Sequence, residues 1–299
     1  AFNLKVSIKK IAISNFRCFD NLNLDFSELN NFIHGANGSG KTSILEALYF
    51  CSTGRSFKSS NKNLCIQNNK DAFKIQLETV NNNMIRILKE SKRSITYEID
   101  ENKATSIDLF RALPSTLLDN KTFSMFADTP KYRRKILDRC LMASDKNYSK
   151  DFFAFHRSLK QRNAALKFKR LTNIDMWSEI FISTGGSISE KRNDFFEQTK
   201  KKFFTFADDL NDKRLLEIIN SLEIVFDKGW PKDLSLKEVL DSNKDIDQRK
   251  TTTSLGPHRA DIKFLTKGSD IKYILSRGEQ KFMSLSLIHI SEPTRRTPI

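Results

Sequence analysis

Apolar and polar residues alternate along the first third of the chain. Leu4, Val6 and Ile8 make one run, Ile11 and Ile13 a second, and Leu22, Leu24 and Phe26 a third. A period of two turns every other side chain toward one face of a pleated sheet, so these runs predict β-strands. Three more strands are predicted over residues 73–77, 84–88 and 95–99, and the polar Asn81-Asn82-Asn83 suits a hairpin turn. The short piece Asn31-Phe32-Ile33-His34 reads as a strand running into a glycine loop. Beyond that loop, Ile44, Leu45, Leu48 and Cys51 fall at helical spacing.

The middle of the chain changes period. Asp128-Thr129-Pro130 offers a helix cap with proline at the first helical position. From there to about residue 210 the pattern is helical. Tyr148, Phe152, Phe155 and Leu159 form one apolar stripe, and Trp177, Ile180, Phe181, Ile188 and Phe195 a second. Gly185-Gly186 is expected to kink or break the second helix. Helical spacing accounts for these aromatics as packing residues without a ligand. Past Trp230-Pro231 the chain turns polar, reaches the turn Gly256-Pro257-His258-Arg259, and then alternates again over residues 260–264. Strands, a helical block and strands again predict an α/β head interrupted by a helical insertion. No internal repeat is seen.

Charge adds a class of partner. The 299 residues carry a formal charge of +15, which favours a polyanion, either nucleic acid or an anionic membrane face. Between Lys131 and Arg170 there are thirteen Lys or Arg against three Asp. A solvated helix face and a binding surface both remain open for that run. No apolar run approaches the roughly 20 residues that cross a bilayer, and the first residues lack the apolar stretch of a signal peptide, so cytoplasm and no membrane partner are expected. The four cysteines, Cys18, Cys51, Cys65 and Cys140, are scattered and read as buried free thiols. His34 and His156 read as ordinary residues.

Gly35-Ala36-Asn37-Gly38-Ser39-Gly40-Lys41-Thr42 matches G-x-x-x-x-G-K-[ST] at every position. Glycines let the backbone curl so that successive N–H groups face phosphate oxygens, and the following helix adds its positive end. Lys41 then reaches the β and γ phosphates of ATP, and the Thr42 hydroxyl is the expected ligand of Mg²⁺. Chance supplies this pattern in about one chain of this length per hundred, and the flanking periods fit as well. A second stretch, Leu275-Ser276-Arg277-Gly278-Glu279, resembles the signature loop of ABC-type ATPases. That loop serves the nucleotide of a partner subunit, so Ser276 and Gly278 predict a homodimer formed around ATP.

Together these stretches resemble the RecF family, whose ABC-type head is related to the SMC heads. Asn15-Phe16-Arg17-Cys18-Phe19, the glycine loop, Gly54-Arg55-Ser56-Phe57, Thr129-Pro130 through Leu137-Asp138, Leu159-Lys160-Gln161-Arg162-Asn163-Ala164 and Gly256-Pro257-His258-Arg259-Ala260-Asp261 follow in the family's order, ahead of the signature. The resemblance implies an ABC/SMC-type P-loop ATPase head with an inserted α-helical domain. On that scheme residues 1–118 are the first part of the head, 119–250 the insertion, 251–284 the return to the head and 285–299 a non-native tail. It also implies a recombination mediator of gap repair and replication restart. Such a protein binds single-stranded and duplex DNA, including gapped DNA, works with RecR and RecO, and hydrolyses ATP slowly. Arg17 is placed by similarity near the phosphates or ribose, with a structural salt bridge as the other reading. Arg55, Lys58, Lys160, Arg162, Lys167, Lys169 and Arg170 are candidate DNA contacts. Arg133 and Arg134 are expected to pair with acids, and His258 and Arg259 to pack within the head.

A RecF-like chain is expected to continue past the signature to a hydrophobic strand carrying the Walker B carboxylates. The stretch after Ser284 does not resemble the family, and LSLIHISEPTR resembles the translation of a sequencing-library adapter. The chain as it stands is therefore expected to hydrolyse ATP poorly and to be poorly soluble. Two other readings are kept: another ABC-type head, either SMC-like or an overcoming-lysogenization-type nuclease-ATPase, and a small-molecule P-loop kinase. The kinase leaves the signature and the basic surplus unexplained.

Overall fold

Alternation in the first third becomes one antiparallel sheet. This computed structural model describes residues 7–117, 126, 129–168, 174–208 and 212–291. It divides into two compact units between Leu117 and Leu118.

In the first unit the strands are β1 (Ile8–Phe16), β2 (Phe19–Asp25), β3 (Ala72–Thr79), β4 (Met84–Glu90), β5 (Thr96–Ile99) and β6 (Asn102–Lys103), in the order β2-β1-β3-β4-β5-β6. Ile11 pairs with Leu77 and Ile13 with Ile75, while Ile75 and Leu77 pair with Ile87 and Ile85 on the other side. Period two thus gathers six aliphatic side chains on one buried face. Each contributes about 1.5–3 kcal/mol by leaving water. Helix α1 (Lys41–Thr53) lays Ala47, Phe50 and Cys51 into the same core. Phe50 stacks edge-to-face on Phe73 at 5.5 Å, and Phe73 on Phe16 at 5.0 Å. Left-handed Gly54 ends α1, its N–H donating to the Phe50 carbonyl. The β3–β4 hairpin turns through Asn82 at φ +61°. Helix α2 (Ser106–Ala112) opens on a Thr105–Asp108 capping box.

Residues 31–34, expected as a strand, are not one. Ser27 and Asn31 close a local loop instead: the Ser27 N–H donates to Asn31 Oδ1 and the Asn31 amide to the Ser27 carbonyl, each at 2.8 Å. Such side-chain bonds compete with a strand ladder. Phe32 is left 89% exposed.

The second unit contains α3 (Pro130–Ser144), α4 (Tyr148–Lys167), α5 (Ile174–Asp208), α6 (Lys213–Asn220), β7 (Leu222–Asp227), α7 (Leu236–Ser242), α8 (Lys244–Lys250), β8 (Asp261–Thr266), β9 (Ser269–Asp270) and α9 (Arg277–Ser291). Its antiparallel sheet runs β7-β8-β9, with Ile224 opposite Phe264 and Phe226 opposite Ile262. The sequence reading missed β7, and the boundary placed at 250 is not a boundary here. β8 pairs with β7, so residues 251–284 share one unit with the helices before them. Thr129 is the N-cap residue of α3 with proline behind it, but its side chain makes no cap bond; Asp128 lies outside the described residues. Cys51 and Cys65 are buried as expected, whereas Cys18 is exposed in the tight β1–β2 turn and Cys140 half-buried.

The Gly185-Gly186 pair does not break α5, which runs unbroken for 35 residues. A Cβ on Gly185 would meet Leu236 Cδ2 at 3.0 Å and Phe155 and Pro257 at 3.3 Å, so glycine is there for close approach.

The motifs of the second unit meet one another. Arg133 of α3 makes a two-toothed ion pair with Asp261, through Nε at 2.7 Å and Nη2 at 3.0 Å. Arg134 donates to the Ala260 carbonyl at 2.6 Å. Arg192 of α5, 2% exposed at its side chain, grips both oxygens of Asp138 at 2.8 and 2.9 Å. Its third arm donates to the Pro257 carbonyl at 2.7 Å, and the Tyr148 hydroxyl completes Asp138 at 2.6 Å. The Arg133 pairing is as the sequence suggested, whereas Arg134 meets a carbonyl rather than an acid and His258 packs against α5 of the helical block rather than within the head. His258 lies by the ring of Phe181, its Nε2–H donating to the Thr253 carbonyl at 3.0 Å. Burial, with Arg259 and Arg134 nearby, lowers its pKa to about 4.

Two predictions follow from this packing. Gly185→Val should destabilise the protein by about 1–3 kcal/mol through overpacking. Gly186→Ala, with open space around its Cβ, should stabilise it by up to about 1 kcal/mol; thermal melts of the two variants check the contrast. His258 is neutral when folded and takes up its proton near pH 6.5 when unfolded, so the unfolded state binds more protons below that pH. Stability should therefore fall as pH drops from about 6.5 to about 4, by at most about 3 kcal/mol. In urea titrations across that window, His258→Leu should flatten this part of the profile.

Candidate nucleotide-binding site

Residues 35–40 form a largely exposed loop that leads into α1, whose first residues are Lys41 and Thr42. Gly38 and Gly40 adopt φ of +83° and +93°, a region L side chains avoid, and Gly35 lies at +151°. A Cβ on Gly40 would also meet Cys18 Sγ at 2.8 Å. Ser39 N–H donates back to the Ala36 carbonyl at 3.3 Å, which tightens the curl. Gly40 is the N-cap of α1 and has no side chain to offer, so the first-turn N–H groups of Lys41 and Thr42 are left for an anion. The Lys41 ammonium donates to the carbonyls of Gly35 and Ala36, both at 2.7 Å. It is thus folded over the loop that would hold a phosphate. Asn37 and Thr42 are exposed on that loop and at the helix start. Left-handed glycines, an uncapped helix start and a poised ammonium fit a nucleotide triphosphate. Thr42 is the side chain placed to ligate a cation accompanying it; no cluster of three acidic, His or Cys ligands occurs among the described residues.

Beneath the loop lies a residue the sequence reading passed over. Glu46 of α1 is fully buried. Arg17 holds it with two teeth, Nε to Oε2 at 2.9 Å and Nη2 to Oε1 at 2.6 Å, and its Nη1 donates to the Leu64 carbonyl at 2.7 Å. The Ser56 hydroxyl donates a very short hydrogen bond to Oε1, and Lys58 stands 3.9 Å from Oε2. Hydrogen bonding to Glu46 raises the Arg17 pKa above its ordinary value. Of the two readings of Arg17, the salt bridge is what the structure contains. A glutamate amid Ile44, Leu45, Ala47 and Leu48 was the available signal, because a carboxylate on an apolar helix face needs partners.

The signature stretch, in the second unit, starts α9. Ser276 is the residue before the helix. Its N–H donates to Glu279 Oε2 at 2.7 Å, and the Glu279 N–H donates to Ser276 Oγ at 3.3 Å. This is a capping box. The Ser276 hydroxyl, and after it the Ser276 N–H, bond the Glu279 carboxyl and hold it below its usual pKa, and Arg214 pairs with it at 2.9 Å. Gly278 sits in the first turn of α9, with only Ser276 Oγ near where a Cβ would stand.

Of the candidate DNA contacts, Arg55, Lys58, Lys160 and Lys167 are exposed. Arg162 is not available. It is buried, with Nη1 bonded to Asp247 at 2.8 Å and to Thr253 at 2.6 Å, and Nε to Ser178 at 3.1 Å. The reason is its place on the inner side of α4, where an unpaired charge would be costly. Lys169 and Arg170 lie outside the described residues.

The family model "RecF/RecN/SMC N terminal domain" matches residues 7–299. A curated protein of Pseudoalteromonas translucida named DNA replication and repair protein RecF is 32% identical over 94% of this chain and 78% of its own length. One of the same name from Francisella tularensis subsp. novicida is also 32% identical, over 95% of this chain and 83% of its own. The chain belongs to the RecF family. A solved structure described as the recombination mediator protein RecF-ATP in the RecFOR pathway superposes with a TM-score of 0.83, at 25% identity over 97% of this chain and 81% of its own. RecF membership fixes the fold class, an ABC/SMC-type P-loop ATPase head. It also accounts for the order of the motifs, each of which this structure now places.

One prediction tests the support under the RecF loop. Glu46→Ala leaves Arg17 without its carboxylate, and breaking a buried pair costs about 3–5 kcal/mol. Arg17 retains some solvent, so a loss of about 2–3 kcal/mol is expected, with Glu46→Gln intermediate. The urea midpoint of each variant measures it.

Proposed function

We propose that this chain is an ATP-gated DNA-binding recombination mediator that dimerises head to head around ATP and acts with RecR and RecO in gap repair and replication restart. The observation that carries the reading is the pairing of two phosphate-directed helix starts in one chain, Gly35–Thr42 ahead of α1 and Ser276–Gly278 at α9. Bound ATP supplies the phosphates that the two helix starts face. Gly35, Ala36, Asn37, Gly38, Ser39 and Gly40 wrap them with backbone, Lys41 neutralises charge, and Thr42 holds Mg²⁺. Ser276 and Gly278 meet the triphosphate held by the partner.

The capping box favours that role. Ser276 Oγ accepts from the Glu279 N–H and its hydroxyl is bonded to the Glu279 carboxylate, so a rotation about the Cβ–Oγ bond turns that proton to an acceptor oxygen of the triphosphate. Glu279 fixes the serine backbone, and the α9 dipole points its positive end at the same place. The RecF relatives named for DNA replication and repair, and the ATP-bound RecF of the RecFOR pathway, support the biological setting.

Light scattering of the full chain with and without ATP and Mg²⁺ tests the dimer. Mass should double with nucleotide in the parent chain and stay monomeric in Ser276→Arg, which keeps ATP affinity. Lys41→Ala should lose both, with nucleotide affinity reduced at least tenfold. A chain that binds ATP yet never dimerises sinks the proposal.

A further inference from the structure

The sequence surplus of positive charge divides, in the second unit, into cations that hold the fold and cations that face water. Helix α4 shows the division most plainly. At about 100° per residue, its buried residues Tyr148, Phe155, Ser158, Arg162, Ala165 and Leu166 lie on one side, and only Ser149 in the first turn is buried elsewhere on the helix. Lys150, Arg157, Lys160 and Lys167 lie on the opposite side, within an arc of about 120°, and all four are exposed. None of the four forms an ion pair among the described residues. The one acid on the helix, Asp151, falls outside the arc and is taken by Lys191 at 3.1 Å and Ser187 at 2.7 Å. Two aromatic rings share the cationic arc: Phe153 is 52% exposed and Phe168, at the helix end, 65% exposed. Phe153 leans edge-on against Phe152 at 5.6 Å, which steadies its ring while leaving it accessible.

An amphipathic helix in a soluble unit ordinarily puts its rings inside. Here the rings that could not join the core sit in a row of unpaired cations about 25 Å long. Cations along a track neutralise phosphates without regard to sequence. Exposed rings among them stack bases that a duplex keeps hidden. We infer that the outer face of α4 is a track for single-stranded DNA, with Lys150, Arg157, Lys160 and Lys167 on phosphates and Phe153 on a base. This rests on the DNA-binding function proposed above and assigns a surface to it. It replaces Arg162, which faces inward, with Arg157, which the sequence reading did not single out.

The test is fluorescence anisotropy of the full chain with ATP and Mg²⁺, using a labelled oligo-dT strand and a duplex of equal length over a range of salt. The quadruple variant Lys150→Gln, Arg157→Gln, Lys160→Gln, Lys167→Gln should lose single-strand affinity on the order of 100-fold at 0.1 M salt. Its salt slope should be shallower by up to about 3. Phe153→Ala should weaken the single strand about 5- to 150-fold and leave the duplex unchanged. Because all five side chains are exposed, melting temperatures should match the parent. A charge-keeping quadruple, with Lys and Arg exchanged, should retain the slope and so exclude misfolding. An unchanged slope in the Gln variant, or a loss confined to the duplex, overturns the track while leaving the proposed function intact. A parent chain that binds neither strand nor duplex overturns both.

Discussion

Arginine stays protonated in a protein, so a buried guanidinium must be met by acceptors in the plane of its fork. The second unit is organised by this constraint. Arg192 enters the core from α5, and α3 answers with Asp138, α4 with Tyr148, and the turn before β8 with the Pro257 carbonyl. Arg133 ties α3 to Asp261 at the start of β8. Arg162 ties α4 to Asp247 of α8 and to Thr253. Apolar packing alone would let three long helices slide or rotate. Forked ion pairs with their remaining donors satisfied permit few arrangements. Their net contribution to stability is small beside their cost if broken, so their role here is register.

The same chemistry recurs under the phosphate loop on a smaller scale. The loop is exposed and its glycines hold a conformation that nothing in their own side chains enforces. What steadies it is α1, and α1 is anchored by Glu46, which gathers Arg17 from the β1–β2 turn and Ser56 from the segment beyond Gly54. A flexible loop that must fit a triphosphate gains from a stiff base. Arg17 at φ +55° in a tight turn fits that description, since its conformation is held by three donated bonds.

Much of this was legible before the structure. The strands of the first unit follow from alternation, because each carries one buried face. The glycine loop follows from its pattern, and the helix after it from spacing. The failures have physical causes. Residues 31–34 have an apolar pair but no ladder; the Ser27–Asn31 loop took its place. Gly185-Gly186 looked like a break because propensity is local, while the contact that requires glycine comes from Leu236 and Pro257, far along the chain. Strand β7 is short and follows a helix directly, so its period had little room to show. Glu46 was overlooked because its partners come from two other segments, Arg17 from before the glycine loop and Ser56 and Lys58 from beyond α1.

Charge was the hardest signal to read from sequence. A run of basic residues states how many cations there are and nothing of where their electric field ends. Arg133, Arg134 and Arg162 all belong to the same basic run, yet each donates to acceptors within the unit. Neighbours two to five residues from Arg162, such as Lys160 and Arg157, point to solvent. The difference is a rotation of about 140–160° about the helix axis, which decides whether a cation faces a carboxylate or water. Net charge therefore overstates the binding surface of such a protein, and the partition of its cations by burial is the better guide to a polyanion's path.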